Sequence, residues 1–135
     1  MRQYSPSTAR QAPTDRNPTK VQNGSTGNAI AGGASVTLTD YTVPAGRVAQ
    51  VTLDVFAVVT AVLAAGQFLS CAVQITTFIH ARRTAAAAAL GTFIQLGPFT
   101  YFLRAGDRII VSASENAGAG TSEASGGIEG VEYDA

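Results

Sequence analysis

Apolar and polar residues alternate along two separate stretches of this 135-residue chain. In residues 34–39, Val36 and Leu38 fall on one face of an extended chain, and threonines fall on the other. Residues 47–61 continue the alternation, and their apolar face carries Val51, Leu53, Val55, Ala57 and Val59. Neighbouring side chains of a strand point to opposite faces, so both patterns predict strands with one buried face.

Further strands are predicted downstream. Residues 67–81 form a long strand whose apolar face carries Leu69, Cys71, Val73, Ile75 and Ile79. The short turn at residues 64–66 suggests that this strand forms a hairpin with the strand before it. The remaining predicted strands are residues 92–96, 99–103, 107–114 and 128–135.

Two segments interrupt this pattern. The alanine-rich residues 81–91 predict a loop or a single helical turn, because alanine favours helix but the run is short. Residues 115–127 are a Gly, Ser and Ala segment without an apolar anchor, which predicts a loop. Short strands between turn signals, with no convincing amphipathic helix, predict an all-β fold, an antiparallel sandwich or barrel, over residues 34–135.

The chain uses the same turn chemistry twice, at Ala45-Gly46 and at Ala105-Gly106. Pro44 fixes φ before the first turn, and each glycine permits a positive φ. Each turn is followed by a strand. We therefore expect both to be places where the chain reverses at one end of the sandwich, and nothing about them requires a substrate.

Residues 1–33 predict an extended polar arm outside the sandwich. They hold almost no large apolar side chains, and such a composition cannot offset the entropy of ordering. The arm is basic, because it contains one acidic residue, Asp15, against Arg2, Arg10, Arg16 and Lys20. The charges either keep the chain soluble or bring the arm to an acidic surface on a neighbouring subunit.

Little in the sequence points to chemistry. The single histidine, His80, and the single cysteine, Cys71, fall on opposite faces of the same predicted strand, which disfavours a catalytic pair. The acidic residues are scattered, so no metal centre or other cofactor is expected. Four spaced cations are too few to predict a nucleic-acid partner. We therefore expect a protein that is not an enzyme.

A membrane protein is the weakest alternative. Residues 55–79 carry no charge and are long enough to cross a bilayer. Polar residues and a turn interrupt them, and β-branched residues recur at spacing two, so we expect no membrane partner. The first ten residues lack an apolar core of the signal-peptide type, so no secretory signal is expected.

Some apolar residues fall on the polar face of their predicted strands, notably Phe56, Val58 and Phe102. Strands that are apolar on both sides are usually covered on both sides. An identical subunit is the simplest cover, and we expect a cyclic homotrimer that buries these three residues. The alternative is a closed barrel with scattered apolar residues on its surface.

Three segments carry a family resemblance. They are YTVPAGRVAQVTLDVF (residues 41–56), YFLRAGDRIIVSAS (101–114) and the terminal GGIEGVEYDA (126–135). Together they resemble small structural proteins of tailed-bacteriophage virions, in which a VPAG turn opens a β-domain and a Gly-rich hairpin precedes the closing strand. The resemblance implies a trimeric, jelly-roll-like sandwich that serves as a capsid decoration (cement) protein or as part of a tail or head fibre. The polar arm is similar to the arms that cement proteins lay along neighbouring subunits.

The expected function is therefore that of a non-enzymatic bacteriophage virion protein on the capsid surface. It would bind the outside of the shell, link subunits of the major capsid protein and use Arg2, Arg10, Arg16 and Lys20 to dock. The alternative is a tail or head fibre component that binds a receptor or glycan.

Overall fold

The computed structural model describes residues 16–31, 33–63, 67–86, 88–116 and 121–135. All regular elements in these ranges are strands, so the all-β prediction is confirmed. The strands are β1 (Thr19–Ala31), β2 (Ser35–Thr42), β3 (Arg47–Ala61), β4 (Phe68–Ile75), β5 (Phe78–Ala86), β6 (Phe93–Leu103), β7 (Arg108–Glu115) and β8 (Thr121–Asp134).

The strands form two four-stranded antiparallel sheets that pack as a sandwich. Sheet A has the order β1-β8-β3-β6, and sheet B has the order β2-β7-β4-β5. Most connections pass from one sheet to the other, and the first and last strands are neighbours, as in an eight-stranded jelly roll. The strands β5 and β6 are the sheet edges on one side of the sandwich, and β1 and β2 are the edges on the other side.

The core lies between the sheets and follows the predicted period of two. In β3 every second residue from Ala49 to Val59 is buried, and the residues between them are exposed or half-buried. Strand β7 alternates in the same way and buries Ile109, Val111 and Ala113. The predicted inner face of β3 is therefore confirmed.

The predicted boundary at residue 33 is wrong, because residues 19–31 form β1 inside sheet A. The strand pairs with β8 in the register Val21↔Gly130 and Ile30↔Ser122. Its few apolar side chains suffice because β1 is an edge strand whose inner face needs only Val21 and Ile30, and both are buried. Residues 1–15, the rest of the predicted arm, lie outside the described residues.

The predicted hairpin between residues 47–61 and 67–81 is also wrong. Strand β3 belongs to sheet A and β4 belongs to sheet B, so the chain crosses the sandwich between them. Strand β4 ends at Ile75, and Thr76 takes a left-handed backbone conformation with φ of 58°. The turn changes the alternation, so Ile79 is 52% exposed on β5 instead of buried beside Val73.

Three other expectations change in detail. The first part of the alanine-rich segment is extended, because Ala85 and Ala86 end β5 and pair with β4. The two strands expected around Gly97 are one strand, β6, which contains the cis Gly97-Pro98 peptide and a register shift opposite β3. The second half of the predicted loop, from Thr121, belongs to β8.

The two Ala-Gly turns lie side by side at one end of the sandwich, as the sequence predicted. The backbone N–H of Val43 donates to the carbonyl of Asp107 at 2.9 Å, and the N–H of Gly106 donates to the carbonyl of Val43 at 2.9 Å. Gly46 and Gly106 have φ values of 77° and 87°, a region that favours glycine. Each turn carries the chain from one sheet to the other. We call this end, which also holds Arg16 and Ala135, the terminal end.

Candidate interaction surface

The outer face of sheet A displays large aromatic side chains. Phe56 of β3 is 40% exposed, Phe102 of β6 is 74% exposed, and Val58 is half-buried. All three lie on the face predicted for them. Phe93, which was not predicted on this face, stacks on Phe56 with ring centroids 5.6 Å apart. The role of these residues in oligomerisation stays a prediction.

Phe56 and Phe102 are separated along this face. Phe102 pairs with Gln50, which lies six residues before Phe56 on β3. Six residues of a strand span about 20 Å. The outer face of sheet A therefore has one aromatic group near the terminal end and another near the opposite end.

A shallow groove of about 780 Å³ crosses the face between the two aromatic groups. Gly126 and Gly127 of β8 leave its floor without side chains, whereas Thr52, Asp54 and Phe56 of β3 form one wall. The glycine at 127 is required by packing, because a Cβ there would lie 2.5 Å from the carbonyl oxygen of Asn23 on β1. The groove is thus a consequence of the close approach of β1 and β8.

The groove carries two exposed carboxylates, those of Asp54 and Glu129. Glu129 pairs with Thr52, and Gly127 pairs with Asp54, so the two acids lie diagonally on neighbouring strands. The amide nitrogen of Gln95 donates to both oxygens of Asp54, at 3.0 and 3.2 Å. Neither arginine nor lysine is among the described residues that line the groove, so this surface is acidic.

The β5 edge of sheet B has the opposite charge. Strand Phe78–Ala86 contains His80, Arg82 and Arg83 and no acidic residue, and all three basic side chains are exposed. Phe78 at the start of the strand is 73% exposed. His80 contacts the ring of Tyr101 on β6 edge-on, with centroids 5.9 Å apart.

Arg16 does not extend into solvent as an arm residue would. Its Nε donates to the carbonyl of Asp134 at 2.6 Å, the N–H of Asp134 donates to the carbonyl of Arg16 at 2.7 Å, and its guanidinium lies 4.9 Å from the ring centroid of Tyr133. This arginine therefore joins the segment before β1 to the end of β8. Lys20 is exposed on β1, and Arg2 and Arg10 lie outside the described residues.

Arg47 is the centre of the polar network at the terminal end. It contacts Asp134 Oδ1 at 2.7 Å and Glu132 Oε1 at 3.5 Å, and it donates to the carbonyl of Asn17 at 2.8 Å and to Thr19 Oγ1 at 2.9 Å. One side chain thus ties the starts of β1 and β3 to the end of β8.

The same network changes two ionisation equilibria. The hydrogen bond from Arg47, with a second one from Asn17, holds the pKa of Asp134 below its usual 3.8. Burial, with the hydrogen bond that Tyr41 donates to Glu132, raises the pKa of the Tyr41 phenol. Each of these groups takes part in holding the strand ends together.

The other candidate chemistry is dispersed. Cys71 is fully buried between the sheets, and burial raises the pKa of its thiol to about 11. Glu115 is buried on β7 and accepts a hydrogen bond from the Ser122 hydroxyl at 2.6 Å. Within the described ranges no three His, Cys, Asp or Glu side chains gather as metal ligands would. Among the described residues no helix is long and apolar enough to cross a membrane.

Comparisons with known proteins concern the fold. No protein-family model and no curated protein matches the chain. A chain of dimeric latent PorU from Porphyromonas gingivalis superimposes with a TM-score of 0.59 and 6% identity over 87% of this chain and 13% of that one. A chain in the structure of infectious bursal disease virus, Gx strain, superimposes with a TM-score of 0.50 and 15% identity over 87% of this chain and 33% of that one. This chain spans a third or less of the length of either, and at such identities the likeness establishes the fold.

Proposed function

We propose that the protein is a non-enzymatic structural component of a bacteriophage virion, which binds the outside of the capsid and links its subunits. The observation that carries this proposal is the outer face of sheet A, where Phe56, Phe93 and Phe102 are exposed. Large aromatic side chains gathered on one surface mark interaction sites more often than scattered ones do.

The fold is compatible with this function without fixing it. Eight-stranded jelly rolls are common in viral capsids and also occur in lectins and cupins. The likeness to a chain of infectious bursal disease virus supports a structural role in a virus particle. The three segments that resemble tailed-phage virion proteins add the finer assignment to capsid decoration.

The proposed partners are the major capsid protein and two further copies of this chain. Residues 1–15, with Arg2 and Arg10, precede Arg16 at the terminal end. Three such segments in a trimer would multiply a weak contact with the shell, because binding at one makes binding at the others intramolecular. Attachment to the assembled shell alone stabilises that shell by mass action.

Shell binding is tested with one truncation and one pair of substitutions. The full chain, a chain without residues 1–15 and a chain with Arg2→Ser and Arg10→Ser are each mixed with shells that lack the protein and sedimented. We expect the full chain to pellet with the shells and both variants to remain in the supernatant while keeping their strand circular dichroism. Unchanged pelleting of the variants would refute docking by this segment.

A second candidate, the receptor- or glycan-binding fibre component, is favoured by the groove beside Phe56. Copy number separates the two functions. Quantitative mass spectrometry of purified particles is expected to give hundreds of copies for capsid decoration, and a few dozen or fewer would favour the fibre.

A further inference from the structure

The β5 edge and the outer face of sheet A are complementary in charge. Arg82 and Arg83 are exposed on an edge strand without acidic residues, whereas Asp54 and Glu129 are exposed in a groove that no described cation lines. Lys20 lies on the same outer face, but it belongs to β1, two strands away from β3. Within one molecule the β5 cations and the groove belong to different sheets.

The two arginines flank the β5 edge. Arg82 pairs with Ala72 of β4, and Arg83 pairs with Cys71, which is buried between the sheets, so the two basic side chains lie on opposite faces of β5. The two acids of the groove lie on the neighbouring strands β3 and β8. When the β5 edge approaches the groove edge-on, one arginine lies on each side of the approaching strand and each can reach one acid.

The β5 edge is suited to such a contact in its backbone as well. It pairs with β4 on one side, and no other described strand pairs with its second side. Its second side is therefore open to another chain. Ala85 and Ala86 at its end are small enough to let another backbone approach.

We propose that the β5 edge of one copy docks on the outer face of sheet A of the next copy. Arg82 and Arg83, one on each face of β5, pair with Asp54 and Glu129. The inference rests on the self-association in the proposed function and names the surfaces that carry it. The contact joins two different surfaces, and such heterologous contacts generate closed rings when the rotation allows it, as in a cyclic trimer.

The test is a charge exchange followed by sedimentation equilibrium. Chains with Arg82→Glu and Arg83→Glu, or with Asp54→Lys and Glu129→Lys, place like charges in contact and are expected to remain monomeric. Breaking interfacial charge pairs costs about 2–5 kcal/mol, so association weakens by at least about 30-fold. The chain that carries all four substitutions restores opposite charges and is expected to assemble again.

Two controls keep the result interpretable. Arg104→Glu reverses an exposed charge in the turn after β6 and should leave the wild-type mass unchanged. Because Asp54 also accepts hydrogen bonds from Gln95, Glu129→Lys alone is measured as well, together with the urea unfolding of every variant. The proposal would be overturned if the charge-reversed chains assembled like the wild type. It would also be overturned if the chain with all four substitutions were folded but remained monomeric.

The outcomes separate this inference from the proposed function. If the trimer's mass does not change with the charge reversals, the docking surface is contradicted but attachment to the virion is not. A trimer that responds to the reversals but fails to pellet with shells supports the docking surface and contradicts capsid decoration. Groove variants that keep the trimer and lose binding to glycans would assign the groove to a receptor and overturn the docking proposal.

Discussion

Deletion of residues 1–33 should unfold the protein, whereas deletion of residues 1–15 should not. The shorter deletion stops before Arg16 and leaves every described strand intact. The longer one removes β1, whose Val21 and Ile30 are 5% and 1% exposed between the sheets. It also removes the hydrogen bond from Thr39 Oγ1 to the carbonyl of Asn23, of 2.9 Å.

The magnitude follows from burial. Each buried branched side chain contributes about 1.5–3 kcal/mol, so the two together contribute about 3–6 kcal/mol. The loss of the β1–β8 hydrogen bonds adds to this, because the edge of β8 then faces water. Domains of this kind have total stabilities of about 5–15 kcal/mol. The longer deletion therefore removes a large share of the free energy of unfolding, or all of it.

Urea unfolding followed by far-ultraviolet circular dichroism measures the difference. With a slope of about 1–3 kcal/mol per molar urea, the midpoint should fall by at least about 1 M or the native signal should be lost. The double variant Val21→Ala with Ile30→Ala, in the full chain, should fall between the two deletions, and Lys20→Ala should not change the midpoint. Equal midpoints for the two deletions would refute the assignment of β1 to the core.

Three smaller predictions concern single sites. Arg47→Ala should lower the free energy of unfolding by about 2–4 kcal/mol, because it leaves the nearly buried Glu132 carboxylate without its cation, and denaturant titration measures the loss. The hydrogen bond from Arg108 lowers the pKa of Asp40 in the folded protein, so the stability that this pair contributes is present above pH 3.8 and is lost as the pH falls below that value. Arg108→Ala should weaken this acid dependence in unfolding scans. An unchanged pH profile would contradict the prediction. The Cys71 thiol, with its pKa raised to about 11 by burial, should react with a thiol reagent at pH 8 only after unfolding, and rapid labelling of the native protein would contradict its burial.

The alternation of apolar and polar residues was sufficient to predict the inner face of β3. Val51, Leu53 and Val55 alternate with polar residues, and only a strand with one buried face explains that alternation. The same signal was misleading at Ile79, because the left-handed Thr76 ends β4 and a register shift follows Val73. A β-branched residue at positive φ has no reliable sequence signature.

Strand β1 could not be predicted because it has few apolar side chains of its own and its place in the sheet depends on its partner strands. Its anchors, Val21 and Ile30, are nine residues apart, and Gly24 between them is required by the close backbone of Gly127. Glycine in a polar context usually indicates a loop. Likewise, sequence alone could not show that β3 and β4 belong to different sheets, since a crossing and a hairpin can use connections of similar length.

The exposed aromatic side chains on the outer face of sheet A were predicted in part. Phe56 and Phe102 were expected on an outer face because they break the alternation of their strands, and both are exposed there. Phe93 was missed because its neighbour across the sheet, Val58, is set by the register of β6 on β3. The diagonal placement of the two acids depends in the same way on the register of β8 on β3. Amino-acid composition does not determine strand register.

The mass of the assembled protein in solution tests the central claim most directly, namely that copies of the chain cover the outer face of sheet A. Sedimentation equilibrium of the full chain should give three times 13.8 kDa, with dissociation as the salt concentration rises. A mass of 13.8 kDa at every concentration examined would contradict the account, because Phe56, Phe93 and Phe102 would then stay exposed on a lone sandwich.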